Sequence, residues 1–271
     1  MRIDQLLVQR QLATTRSQAQ RLIADGVEWR KSDAENWKRV AKNGDEVTDD
    51  AQVRLLDDSE ARYVSRGGLK LESALKQVGL SVSGLDCLDV GQSTGGFTDC
   101  LLQNGARSVV GVDVGSAQLH PQLRDDGRVL CVEGVNARAL DASDLIAACA
   151  NYTGSGGLFD PEVEGVDEWE PAFDVVVGDL SFISQTLVLP AVVPFLKPGG
   201  TLLMLVKPQF ELQPGQVGKG GIVKDASFYP LIEAKLRACC AELELTVTAW
   251  FDSPIAGGDG NREFFICAKK A

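Results

Sequence analysis

At 271 residues, 44% of them hydrophobic and 24% charged, the chain can bury one large core beside a small companion domain, and its composition excludes a disordered or low-complexity protein. The formal net charge of −11 argues against a chain that binds nucleic acid over its whole surface. Seven cysteines, scattered and with no Cys-x-x-Cys pair, read as buried reduced thiols, and a single histidine, His120, leaves a histidine-based triad or a His-rich metal site without its parts, so no metal is expected.

The opening "MRIDQLLVQRQL" is charged throughout and lacks the unbroken apolar segment of a secretory signal. No later segment approaches the roughly 18 apolar residues of a membrane helix. A cytoplasmic protein with no membrane partner is expected. "DQLLVQRQ" reads as a first helix, and "TRSQAQRLIADG" as a second, opened by a Thr/Ser cap and closed at Gly26. "VEWR", "KRV", "NGDEV" and "QVRLL" follow as short strands with an Asn-Gly turn. Residues 1–43 carry nine Lys/Arg against five Asp/Glu, so the acidity belongs to the rest of the chain. A basic lobe on an acidic body is the footprint of local nucleic-acid contact, with Arg2, Arg10, Arg16 and Arg21 as candidates. The alternative for the same charges is a solvated face.

Residues 57–62, "DDSEAR", make a polar linker, so the domains are read as 1–60 and 61–271. "YVSRGGLKLESALKQVGL" then keeps a helical spacing through Leu69, Leu71, Leu75 and Val78. From Leu85 strands and helices alternate: "CLDVG", "SVVGVDVG", "RVLCVEG", "FDVVVGDLSF", "TLLMLVKP", "LTVTAWFDS" and "REFFICAKK" are the strands. Runs such as "DVVV" and "LLMLV" are apolar on both faces, as a parallel sheet covered by helices requires. The fold class is α/β, a Rossmann-like doubly wound sheet. Asn151–Pro171, rich in Gly, Asp and Glu, reads as a surface insertion.

The turn after the first of these strands runs Asp89-Val-Gly91-Gln-Ser-Thr-Gly95-Gly96, which is not the Gly-x-Gly-x-x-Gly of a dinucleotide site. Gly91 and Gly95 let the backbone approach a ligand closely, and Asp89 suits a positively charged amino-acid tail. Asp113 ends the next strand 22 residues after Gly91, where an acid takes the hydroxyls of an adenosine ribose. S-adenosylmethionine fits this arrangement better than a nicotinamide cofactor. The acceptor is read from later strand ends. An Asn/Asp-Pro-Pro-aromatic segment for amino methylation is absent, and no cysteine stands near "FDVVVGDLSFIS" for pyrimidine carbon methylation. Four ionisable residues do stand at element ends: Lys70, Asp179, Lys207 and Glu263. A ribose hydroxyl is a weak nucleophile whose proton must leave as the methyl arrives. A lysine takes that proton if burial or a second cation lowers its pKa, and Lys207 near Lys70 meets the second condition. Taken singly, each of the four is equally a surface charge or a structural ion pair.

The motifs "YVSRGGLKLE", "DVGQSTGGFTDCLLQNGA", "GVDVGSAQLHPQLRDDGRV", "GDLSFIS", "LVKPQFE", "GKGGIVKD" and "SPIAGGDGNREFF" resemble the TlyA family, also labelled haemolysin A, over nearly the whole chain apart from the acidic insertion. The resemblance implies an FtsJ-like ribosomal RNA 2′-O-methyltransferase with an N-terminal S4-type RNA-binding domain. It implies a catalytic set of Lys70, Asp179, Lys207 and Glu263. It implies S-adenosylmethionine contacts from Asp89, Gly91, Ser93, Gly95, Gly96, Phe97, Asp113 and Asn136, and a cytidine ribose in ribosomal RNA as acceptor. Arg66 of the first motif joins the RNA-binding candidates. Gln92 departs from the family pattern, which commonly has a small residue after the glycine. Two other readings stand beside this one: an RNA-binding assembly factor whose catalysis has lapsed, and a pore-forming haemolysin, for which neither a signal nor an apolar spanning helix is present.

Overall fold

The computed structural model of the chain describes residues 1–13, 15–56, 62–152, 158–160, 169–257 and 260–271. Two compact units divide it, Met1–Leu69 and Lys70–Ala271. The linker residues 57–61, and 153–157 and 161–168 of the acidic insertion, lie outside the described residues.

In the first unit, α1 (Ile3–Gln9) and α2 (Arg16–Gly26) precede β1 (Val27–Arg30), β2 (Lys38–Arg39) and β3 (Gln52–Leu55). Thr15 caps α2 by accepting the Gln18 N–H at 3.2 Å. The strands form an antiparallel sheet in the order β2-β1-β3. "NGDEV" forms no strand: it contributes a turn and an isolated bridge from Glu46 to Arg2. Ile3, Leu6, Leu7, Leu22, Ile23, Val27 and Val47 close a small core. Within it Asp4 is fully buried, and Arg2 and Arg16 each reach its Oδ2 at 3.0 Å. Their hydrogen bonds and charges hold its carboxyl down at about 2 despite burial.

The helix α3 (Gly67–Val78) leads to β4 (Asp86–Val90), α4 (Gly96–Gln103), β5 (Ser108–Asp113), α5 (Pro121–Arg124), β6 (Val129–Glu133), α6 (Ala142–Ala150), β7 (Phe173–Asp179), α7 (Gln185–Val192), β8 (Leu196–Val206), α8 (Pro208–Glu211), α9 (Phe228–Glu242), β9 (Leu245–Asp252) and β10 (Phe264–Lys270). Among the described residues the last seven strands make one sheet in the order β6-β5-β4-β7-β8-β10-β9. The first five are parallel, and β10 runs antiparallel to both β8 and β9. Parallel strands need a crossover, whereas the described residues of the β9–β10 connection hold no helix, so these two pair as neighbours in opposite directions. Alternation sorts the faces. Phe264 stacks on Trp250 and meets Tyr229 of α9, while Phe265 stacks on Phe97 of α4. Leu88, Val110, Val176, Met204 and Ile266 form one buried cluster with Leu145 of α6, Val188 of α7 and Leu236 of α9. All seven cysteines are thiols, six buried and Cys131 half-buried.

Candidate active site

The sheet register decides which side chains meet. Val90 pairs with Val112 and Gly178, Asp179 with Leu205, and Phe264 with Val206. The ends of β4, β5, β7 and β8 therefore share one edge with the entry of β10, because β10 is antiparallel. Asp113, Asp179, Lys207 and Glu263 stand along that edge although up to 150 residues separate them in sequence.

Two ion pairs form there. Lys70, from α3, lies with its Nζ 2.5 Å from Glu263 Oε2, and the two side chains are only 9% and 2% exposed. Lys207 Nζ is 2.6 Å from Asp179 Oδ1 and donates to Ser181 Oγ at 2.9 Å. The pairs belong to one electrostatic group. Burial pushes the Glu263 carboxyl up, the charges of Lys70 and Lys207 oppose that rise, and Asp179 adds to it.

Beside the pairs, Gly91, Ser93, Asp113, Asn136, Asp179 and Phe182 help line a cleft of about 370 Å³. Gly91 has φ +85, and a Cβ on it would lie 2.8 Å from the Asp179 carbonyl oxygen, so only glycine lets the turn pass under β7. Gly95, at φ +94, is the N-cap of α4, and a Cβ there would strike Leu123 Cδ1 at 2.4 Å. Asp113 accepts the Ser93 N–H at 2.8 Å and the Gly115 N–H at 2.7 Å, which fixes its carboxylate at the cleft wall with lone pairs to spare. Asn136 accepts the Arg138 N–H at 3.1 Å while its residue lines the cleft.

Gly95 and Gly96 close the turn, Asp89 and Phe97 lie beneath it, and the cleft wall includes none of the four. Phe97 is buried, its ring centroid 6.4 Å from that of Phe265. Asp89 is completely buried. Its Oδ2 accepts from Thr98 Oγ1 at 2.7 Å, and its Oδ1 has no hydrogen-bond partner. Burial pushes its carboxyl up to about 7, against the Thr98 bond and with help from the nearby Asp179 charge. An orphaned buried carboxylate oxygen suits a ligand that brings a cation. Gln92, the departure from the family pattern, is buried as well. Its amide donates to Thr98 Oγ1 at 3.0 Å and fills the space that a Cβ on Gly111 would take, so it braces the turn from beneath.

Of the basic-lobe candidates, Arg2 and Arg16 grip Asp4 but keep half of their surface exposed. Arg10 donates to the carbonyls of Ala51 and Asp49. Arg21 and Arg66 are half-buried. Composition gave no sign of Ser181, Phe182 or Phe210. Phe182 is 89% exposed, adopts φ +63, and has its ring centroid 5.0 Å from that of Phe210. The quoted segments "GDLSFIS" and "LVKPQFE" contained both rings, but an exposed phenylalanine at a cleft rim is a structural signal.

A cleft outside the carboxyl ends of a doubly wound sheet is where this architecture takes nucleotide-like ligands, and here the class is the Rossmann-like methyltransferases. The chain belongs to the FtsJ-like methyltransferase family, whose model matches residues 63–270. It is 39% identical over 265 residues to the 16S/23S rRNA (cytidine-2′-O)-methyltransferase TlyA of Mycobacterium tuberculosis, spanning 98% of this chain and 88% of that one. It is 34% identical to Hemolysin A of Brachyspira hyodysenteriae, over 97% of this chain and 98% of that protein. A solved structure from Streptococcus thermophilus, described as a candidate hemolysin, superposes with a TM-score of 0.70 at 37% identity, covering 100% of this chain and 88% of that one. Among the described residues no helix is long and apolar enough to cross a membrane, and no group of three or more His, Cys, Asp and Glu is placed to hold a metal ion.

Proposed function

We propose that this chain methylates the 2′-hydroxyl of a cytidine in ribosomal RNA with S-adenosylmethionine as donor, in the cytoplasm. The observation that carries the reading is the meeting of Lys70–Glu263 and Lys207–Asp179 at one sheet edge beside the cleft. The donor supplies an electrophilic methyl group on a sulfonium. Asp113 and Asn136 would hold its nucleoside, Gly91, Ser93, Gly95 and Gly96 would form the turn around it, and Phe97 would support that turn from the core. Asp89, beneath that turn, would supply the counter-charge for its ammonium end.

Lys207 takes the proton of the ribose hydroxyl as the general base. Asp179 and Ser181 fix its amine, while Glu263 holds Lys70 as a cation at the edge of the same group. General-base help is worth about 10²- to 10⁴-fold in rate, and alignment of the two substrates supplies more. Phe182 offers a ring face on which the target base stacks once turned out of its helix. The unit Met1–Leu69 serves as an S4-type RNA-binding domain, with Arg2, Arg16, Arg21 and Arg66 toward phosphates and Arg10 bracing the fold.

The test uses purified protein, labelled donor and ribosomal subunits, followed by alkaline hydrolysis. A 2′-O-methyl group blocks backbone cleavage at its nucleotide, so label is expected in an alkali-resistant dinucleotide containing cytidine. Label released entirely in mononucleotides would place the methyl on a base and overturn the reading.

A further inference from the structure

Asp179 and Lys207 sit on different strands, and each starts a short segment. The loop Asp179–Ser184 joins β7 to α7, and the segment Lys207–Glu211 follows β8. The segments run side by side and touch at three levels. Lys207 meets Asp179 and Ser181 at the first. The rings of Phe182 and Phe210 meet at the second. At the third, Glu211 Oε2 accepts from Ser184 Oγ at 2.5 Å and its Oε1 accepts the Gln185 N–H at 2.7 Å.

The third level is built as a lock. The Glu211 side chain is 2% exposed. Lys235, reaching over from α9, donates to Glu211 Oε2 at 3.0 Å, to the Glu211 carbonyl at 3.1 Å and to Ser184 Oγ at 3.1 Å. The Gln185 side chain donates to the Leu205 carbonyl at 2.8 Å, so the start of α7 is tied to β8 as well. Between the ends of the loop, Phe182 holds a left-handed backbone that a phenylalanine adopts only under constraint. A buried carboxylate with two charge-assisted bonds to the far end of that loop, and a third to Lys235, supplies such constraint.

We infer that Glu211 is a positioning residue: by locking Ser184 and Gln185 to the segment that begins at Lys207, it holds the Lys207–Asp179 pair and the Phe182 ring in working register. The inference rests on the catalytic reading above. Glu211 touches neither substrate nor reacting atoms. It acts through the two segments it joins.

Glu211→Gln keeps the volume and the bond from the Gln185 N–H, but turns an amide donor toward Ser184 and the Lys235 ammonium. Misplacing reacting groups by about 1 Å costs on the order of 10²-fold, so kcat is expected to fall 10- to 100-fold, while donor affinity stays within about twofold. Ser184→Ala, a milder change, should fold and lose less. The decisive readout is a double-mutant cycle with Asp179→Asn, in which Glu211→Gln should cost much less than it does alone, because the pair it serves is already weakened. Additive losses, or wild-type kcat in Glu211→Gln while Asp179→Asn is slow, would overturn the lock alone. Full activity of Asp179→Asn would instead strike the catalytic reading itself.

Discussion

The buried Asp89 gives a quantitative expectation for donor binding. Its carboxyl is pushed up to about 7 by burial, and one oxygen lacks a partner. A bound ammonium would hold it ionised, so binding must expel whatever proton it carries in the donor-free protein. With a carboxyl pushed up to about 7, proton release is expected at pH 6 and falls away as pH rises past 8. Calorimetric titration of donor in buffers of different ionisation enthalpy reads this release directly. The sign for stability follows from the same shift. A folded-state value raised above the ordinary 3.8 means that the fold favours the protonated form, so this group's penalty is absent below about pH 4 and grows as pH rises toward 7. The limit is of order 4 kcal/mol. Asp89→Asn should therefore raise the melting temperature of the donor-free protein at pH 8 while weakening donor binding, a trade of stability against function. Donor binding without proton release at pH 6, or Asp89→Asn that binds donor as well as wild type, would refute this account of Asp89.

Lys70→Met strands the Glu263 carboxylate in a buried site, at a cost of about 3–5 kcal/mol. A melting temperature lower by roughly 10 °C is expected, with Lys70→Met/Glu263→Leu recovering stability but not activity in thermal and methyl-transfer assays. Phe182→Ala should lower kcat/KM for RNA by about 5- to 150-fold, the worth of one stacked base at about 1–3 kcal/mol, with donor affinity unchanged in titration. Arg16→Ala, whose guanidinium is half exposed, should weaken RNA binding and lower the slope of log K against log salt by about 0.9 per lost phosphate contact. Arg10→Ala should instead lower the stability of the first unit, since its guanidinium is committed to the Ala51 and Asp49 carbonyls.

Local pattern carried most of the architecture. The apolar runs "DVVV" and "LLMLV" lie in the central strands β7 and β8, and the glycine turn after β4 opens α4. The placement of β10 between β8 and β9 was not legible, because strand order is a property of packing. That placement brings Glu263 to Lys70 across 193 residues. Lysines and carboxylates were singled out by standing at strand ends, but which amine would pair with which acid depended on sheet register. Phe182, Ser181 and Glu211 escaped notice for another reason. An exposed phenylalanine, a loop serine and a helical glutamate are ordinary in sequence, and only burial, backbone angle and partners set them apart. The arginines of the first unit carry a second role that charge alone does not show: the buried Asp4 gives Arg2 and Arg16 a structural task as well.

The central claim is that Lys207 removes the proton of a ribose hydroxyl. Single-turnover methyl transfer to ribosomal subunits by Lys207→Ala, with donor affinity measured on the same preparation, tests it most directly. A rate at least about 10²-fold lower is expected, with donor binding intact. A variant that binds donor and transfers methyl at the wild-type rate would contradict it.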